Sequence, residues 1–103
     1  MPLLVNAVTV EIDGICYTLD RKTGVAEVTR NTVHVYAGDV VIHEKVVYED
    51  NEYIVTSIGA QAFFESHVVS VSLPSSITSI GRNAFIYSHS LDSIAIPEKV
   101  TIL

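Results

Sequence analysis

The stretch "SIGAQAFFES", beginning at Ser57, and the stretch "SIGRNAFIYS", beginning at Ser79, are two copies of one pattern set 22 residues apart. Ile58-Gly59 returns as Ile80-Gly81 and Ala62-Phe63 as Ala84-Phe85 at that step, while Leu73-Pro74 returns as Ile96-Pro97 one residue later. The extra residue falls where "VVSVSLP" corresponds to "SLDSIAIP", and after Pro97 "EKVTIL" opens a third copy on the lines of "SSITSI". A period of about 20 to 29 residues with apolar residues at L-x-x-L-x-L spacing indicates a leucine-rich solenoid. Leu91-x-x-Ile94-x-Ile96 fits that template, and Val69-x-Val71-x-Leu73 fits it with one residue deleted.

A coil of 22 or 23 residues cannot enclose a core by itself, so the next coil has to cover its apolar edge. Equivalent positions then stack, which predicts Phe63 beside Phe85, Ala62 beside Ala84, and Ile58 beside Ile80 beside Leu103. Gly59 and Gly81 are expected to turn the chain tightly out of a strand. Each Ala-Phe pair is expected in a short helical or 3-10 turn, and Pro74 and Pro97 should end strands because they supply no ladder N–H. The predicted core of the repeats is Ile58, Phe63, Leu73, Ile80, Phe85, Leu91, Ile94 and Ile96.

The first half has a different period. "VTVEI" and "ICYTL" alternate about Asp13-Gly14, a pair suited to a two-residue hairpin turn. "DRKTG" is a second turn before "VAEVT"; Gly38-Asp39 precedes "VVIHEKVVY", and "EDNE" separates that run from "YIVTSI". Five or six short antiparallel strands are predicted here. No window shows a helical period, and β-branched residues crowd every segment. The expected fold class is β-rich α+β: an antiparallel hairpin cap over residues 1–53, then two repeats and a truncated third over 54–103, in one continuous folding unit.

Composition removes several function classes. With 49% hydrophobic and 17% charged residues the chain is a folding sequence, and a net charge of −6 without any Lys/Arg cluster argues against nucleic acid and against anionic membrane surfaces. No run approaches the roughly 18 apolar residues of a membrane helix. "MPLLVNAVTV" lacks the basic start of a signal peptide, leaving either a cytoplasmic protein or one whose export signal has been removed. Cys16, the only cysteine, excludes an internal disulfide and reads as a small buried strand residue.

The repeat marks resemble the BspA-like leucine-rich-repeat family of surface proteins. Ile58, Gly59, Ala62, Phe63, Leu73, Pro74, Ile77 and Thr78 match its repeat in the first copy. Ile80, Gly81, Ala84, Phe85, Leu91, Ile94, Ile96, Pro97, Val100 and Thr101 match in the second. Ser66 and Ser88 stand where the family has Cys, and "VVIHEKVVYEDNEYIVTSIG" is similar to the segment that often precedes the repeats, with His43 in place of its proline. The resemblance implies a secreted or surface-attached protein, adhesion and protein binding, and it brings no catalytic residue.

His67 and His89, one repeat apart, could begin a metal site with Glu65, but three or four ligands are needed, and exposed loop histidines are the plainer reading. "EDNE" lacks the alternating carboxylates of a calcium loop. The serines lack a G-x-S-x-G motif or an assignable base. No cofactor is expected. What remains as a candidate interaction face is the outward side of the repeat strands: Ser70 and Ser72 on the first, Asp92, Ser93 and Ala95 on the second. A further ladder of Thr56, Thr78 and Thr101 is expected, and Tyr87 is the one repeat aromatic expected to be exposed. The resulting expectation is a non-enzymatic interaction or adhesion module, its ligand a protein or a host surface. The alternative is a structural cap or stand-alone small repeat protein that binds nothing. An open final coil formed by Ile94, Ile96, Val100 and Leu103 predicts a homodimer through that end.

Overall fold

The computed structural model describes residues 6–102 as ten strands, with no helix among them. In chain order these are β1 (Ala7–Ile12), β2 (Ile15–Asp20), β3 (Val25–Thr29), β4 (Ala37–Val41), β5 (Lys45–Tyr48), β6 (Asn51–Ile58), β7 (His67–Ser72), β8 (Ser79–Ile80), β9 (Ser93–Ala95) and β10 (Thr101–Ile102).

Turn chemistry sets the hairpins where the sequence places them. Ile12 faces Ile15 across Asp13 and Gly14, both at positive φ, the geometry of a tight two-residue turn. The same turn recurs without glycine between β5 and β6, where Glu49 and Asp50 both take positive φ and Tyr48 faces Asn51. In "DRKTG" the Asp20 carboxylate accepts the Lys22 and Thr23 amides at 2.9 and 3.2 Å. These two backbone bonds hold its pKa below the ordinary value.

The strands form two sheets. One runs β1-β2-β3-β6-β8-β10 with β5 on the flank of β6; the other is β4-β7-β9 and wholly parallel. From β3 onward successive segments alternate between the sheets, so each coil gives one strand to each wall. The antiparallel cap expected through Tyr53 is therefore corrected. Parallel pairing already begins at Val25, which faces Ile54, and "VVIHEKVVY" is two strands in different sheets, broken over Ile42 to Glu44. Gly38-Asp39 lies inside β4 instead of before it. The hairpin region contains the first coil.

One apolar cluster fills the space between the walls and draws on both halves of the chain. Leu19, Val28, Val55, Ile58, Phe63, Val68 and Ile77 are wholly enclosed. Burying a side chain of this size contributes roughly 1.5–3 kcal/mol. The rings of Tyr36, Phe63 and Phe85 make a column through three coils, with centroids 5.0 and 4.9 Å apart and the Phe pair nearly parallel. Tyr36 occupies in the first coil the place that phenylalanine holds in the next two. Its hydroxyl accepts from the Cys16 N–H at 2.9 Å and donates to the Thr29 carbonyl at 2.6 Å, bridging two residues that face each other across β2 and β3. Burial, the first cause, pushes its phenol well above the ordinary range.

The expected helical turns at Ala-Phe are replaced by chained β-turns. Ala62, Phe64 and Ser66 donate to Gly59, Gln61 and Phe63 three residues back, while Gln61, Phe63 and Glu65 donate to Arg82, Ala84 and Ile86 of the next coil. A helix would need all of these N–H groups for itself. Alternate amides instead stitch the coils together, with Gln61, Glu65, Asn83 and Tyr87 at positive φ.

The chain does turn out of β6 and β8 at Gly59 and Gly81, where Ala62 and Ala84 donate to their carbonyls, but for another reason than backbone freedom. Neither glycine is at positive φ; a Cβ on Gly81 would run into the Ala60 backbone, so glycine is needed for close approach of two coils. Pro74 and Pro97 do follow the ends of β7 and β9. Ile58 pairs with Ile80 as expected, but the third rung is Ile102; Leu103 lies outside the described residues. Ile80 is buried, and Leu73, Phe85, Leu91 and Ile94 pack against the core partly covered. Ile96, predicted as core, is 45% exposed because no described coil lies over it.

Candidate functional site

The second sheet alternates in the manner of a one-sided wall. Val68 and Val71 are buried and Val40 and Ile94 partly so, while the intervening positions face out. Register brings the predicted residues together: Ser70 faces Ser93 and Ser72 faces Ala95. Asp92 sits just before β9, its amide bonded to the Val69 carbonyl at 2.8 Å.

Sequence reasoning missed two members of this face. Asp39 faces Ser70 and Val41 faces Ser72, because β4 is the first strand of this sheet. The outward rows are thus Asp39–Ser70–Ser93 and Val41–Ser72–Ala95. The Ser70 hydroxyl donates to the Asp39 carboxylate at 2.6 Å, and Val69 is pushed out at the shift in register between β4 and β7. The alternation in "AGDVV" was the available signal, masked by Gly38-Asp39 looking like a turn.

Thr56, Thr78 and Thr101 lie on the other sheet and form a separate surface. Thr78 and Thr101 donate their amides to the carbonyls of Thr56 and Thr78, at 2.8 and 2.9 Å. The expected threonine ladder is corrected at its third member, because Thr101 is in register with Ser79 and not with Thr78. The registered row is Glu27–Ser57–Ser79–Thr101, again opening with a carboxylate, here accepting the Ser57 hydroxyl at 2.9 Å.

A third surface lies at the chained turns. Tyr87 is exposed and meets Phe64 edge-on at 5.8 Å, and the Arg30 guanidinium sits 4.4 Å over the Phe64 ring. His67 and His89 border one cleft of about 440 Å³ with Glu65, Ser66, Tyr87 and Ser90. Among the described residues no group of three or more His, Cys, Asp or Glu is placed to hold a metal ion. The Ser66 and Ser88 hydroxyls lie 2.7 Å apart, and Ser88 donates to the Phe63 carbonyl at 2.6 Å, so its proton is directed at an amide and away from any base. The Cys16 thiol is raised by burial, then by the Glu11 charge, with a Tyr36 hydrogen bond opposing, which disfavours the thiolate a nucleophile requires.

The profile described as "BspA type Leucine rich repeat region (6 copies)" matches residues 44–103. The chain belongs to the BspA-type leucine-rich repeat family. A leucine-rich repeat protein from Bacteroides ovatus is 35% identical with a TM-score of 0.78 over 88% of this chain, which spans 24% of that protein. A leucine-rich repeat protein from Bacteroides capillosus is 34% identical with a TM-score of 0.75, covering 91% of this chain and 70% of its own. A leucine rich cell surface protein from Faecalibacterium prausnitzii shares the fold at 24% identity and a TM-score of 0.70, over 89% of this chain and 24% of that one. No curated protein matches the sequence. The BspA-type repeat is generally a protein-interaction module without catalytic activity.

Proposed function

We propose that the outward face of β4-β7-β9 binds protein, and that the chain serves adhesion as part of a secreted or surface-attached repeat protein. The observation that carries this reading is the continuous outward surface of three parallel strands, Asp39–Ser70–Ser93 beside Val41–Ser72–Ala95. Its side chains are short and lie in register, so a partner meets a flat surface with little side-chain entropy to lose on ordering. The Faecalibacterium protein that shares the fold is a cell surface protein, which agrees with the proposed location.

Beads coated with the protein test it on epithelial monolayers and on immobilised matrix proteins. Ser72→Arg combined with Ala95→Arg should abolish adherence at unchanged melting temperature, while Thr78→Arg on the other sheet should leave it intact. Beads that adhere no better than uncoated ones would favour the purely structural role.

Self-association through the last described coil is proposed alongside. Ile96 and Ile102 are 45% and 62% exposed, and among the described residues β9 and β10 each pair on one side only. Sedimentation should show a dimer at micromolar concentration that Ile96→Glu shifts to monomer; a native chain that stays monomeric on concentration removes this proposal.

A further inference from the structure

At the other end of the parallel sheet, among the described residues, β4 also pairs on one side only, with β7. The Ile42 amide donates to the Ser72 carbonyl at 2.9 Å. Counting back in twos from Ile42, Val40 faces β7, so the N–H and C=O groups of Asp39 and Val41 point to the free edge. An uncovered edge of this kind is a ready template for another strand.

This edge borders a groove. Two adjoining clefts of about 290 and 300 Å³ run beside it and share Asp13, Ile15 and Val41. The tip of the β1–β2 hairpin and β4 both line the first; β5 residues line the second. The groove is unequal at its ends. Asp39 lines the first cleft alone, with His34 near it, and His43 and Lys45 line the second alone, while Asp13 lies where the two meet beside Ile15 and Val41, in a chain whose net charge is −6. Val35 and Val47, both more than half exposed, stand at its two ends.

We propose that the free edge of β4 is a peptide-docking site, which takes an extended apolar segment of a partner protein as an added strand with its basic residue beside Asp13 and Asp39. Main-chain bonds to Asp39 and Val41 would supply affinity, and the acidic end would set the polarity of the segment. The site uses backbone groups of the sheet edge and shares only Asp39 and Val41 with the side-chain face proposed above, so Ser72→Arg combined with Ala95→Arg should leave peptide binding intact.

The probe is the hexapeptide Lys-Val-Thr-Val-Thr-Val, acetylated and amidated, with two N-methylated versions that block its alternate amides in turn. An added strand turns only one set of amides toward β4. One N-methylated version should therefore bind at least about tenfold more weakly than the parent, and the other about equally. Amide exchange at Asp39 and Val41 should slow in the complex, and Asp39→Lys should reverse the preference between this peptide and its Glu-for-Lys counterpart. Equal binding of both N-methylated versions, or no binding at millimolar peptide, overturns the proposal. So does a free protein that is dimeric with Asp39 and Val41 already protected, since the edge would then belong to a second copy.

Discussion

Replacing Tyr36 by Phe tests how the first coil is tied to the hairpins. The ring, and with it the 5.0 Å contact to Phe63, stays in place, so no cavity opens. What is lost is one oxygen that holds the Cys16 N–H at 2.9 Å and the Thr29 carbonyl at 2.6 Å. Thr29 also carries a buried hydroxyl with no partner, so this corner of the fold already holds one unpaired polar group. Leaving a buried polar group unpaired costs about 1–3 kcal/mol, and Cys16 is only partly covered, so the two together should cost about 2–4 kcal/mol. For a domain of this size that is a fall in melting temperature of about 10–20 °C. Alkali gives an independent readout. The folded phenol is raised above its unfolded value, so its contribution is fully present below about pH 10 and is lost as pH rises toward the folded pKa. Urea unfolding at pH 7 and pH 10.5 should show a steeper alkaline loss in the native chain than in Tyr36→Phe; Tyr17, also raised, leaves some slope in both. A loss below about 0.5 kcal/mol, the ordinary scatter of surface changes, together with identical alkaline slopes would refute the bridging role.

The aromatic column sets an order of damage: Phe63→Ala about 3–5 kcal/mol, Phe85→Ala about 2–4 because it is only partly covered, and Tyr87→Ala under about 1, read by thermal melts. Gly81→Ala drives a Cβ into the Ala60 backbone and should cost about 3 kcal/mol or more. Gly24→Ala, in open space at positive φ, should cost only about 1 in the same melts. A fragment from Ile54 to Leu103 should be unfolded or aggregated by circular dichroism, since Leu19, Val28 and Tyr36 would be missing from its core; a cooperative melt of the soluble fragment would contradict this.

The two later coils were legible because stacking forces a chain to repeat itself. Phe63 and Phe85 announce each other; Tyr36 announces nothing, since its hydroxyl serves the hairpins and its coil lacks the Ile-Gly and Ala-Phe marks. That coil's strand step to the next is also longer: Ala37 faces His67 at thirty residues, where Ser57 faces Ser79 at 22, because the β5–β6 hairpin intervenes. Asp39 and Val41 were lost from the candidate face for that reason. The turn type was illegible on other grounds: a 3-10 turn and a chain of β-turns both join residues three apart. Only the destination of the alternate amides separates them, and that lies in a neighbouring coil.

Both outward rows begin with a carboxylate, Glu27 and Asp39, and continue with hydroxyls in the coils that follow. Strands lie about 4.8 Å apart, and two like charges at that spacing repel by about 1 kcal/mol in water and about 3–4 at a protein surface. Duplicating the first coil would stack that repulsion twice over, once on each wall. Duplicating a later coil adds only neutral rungs to both rows. Tandem duplication of the later coils can thus lengthen the protein at no electrostatic penalty in these rows, while duplication of the charged coil carries one on each wall.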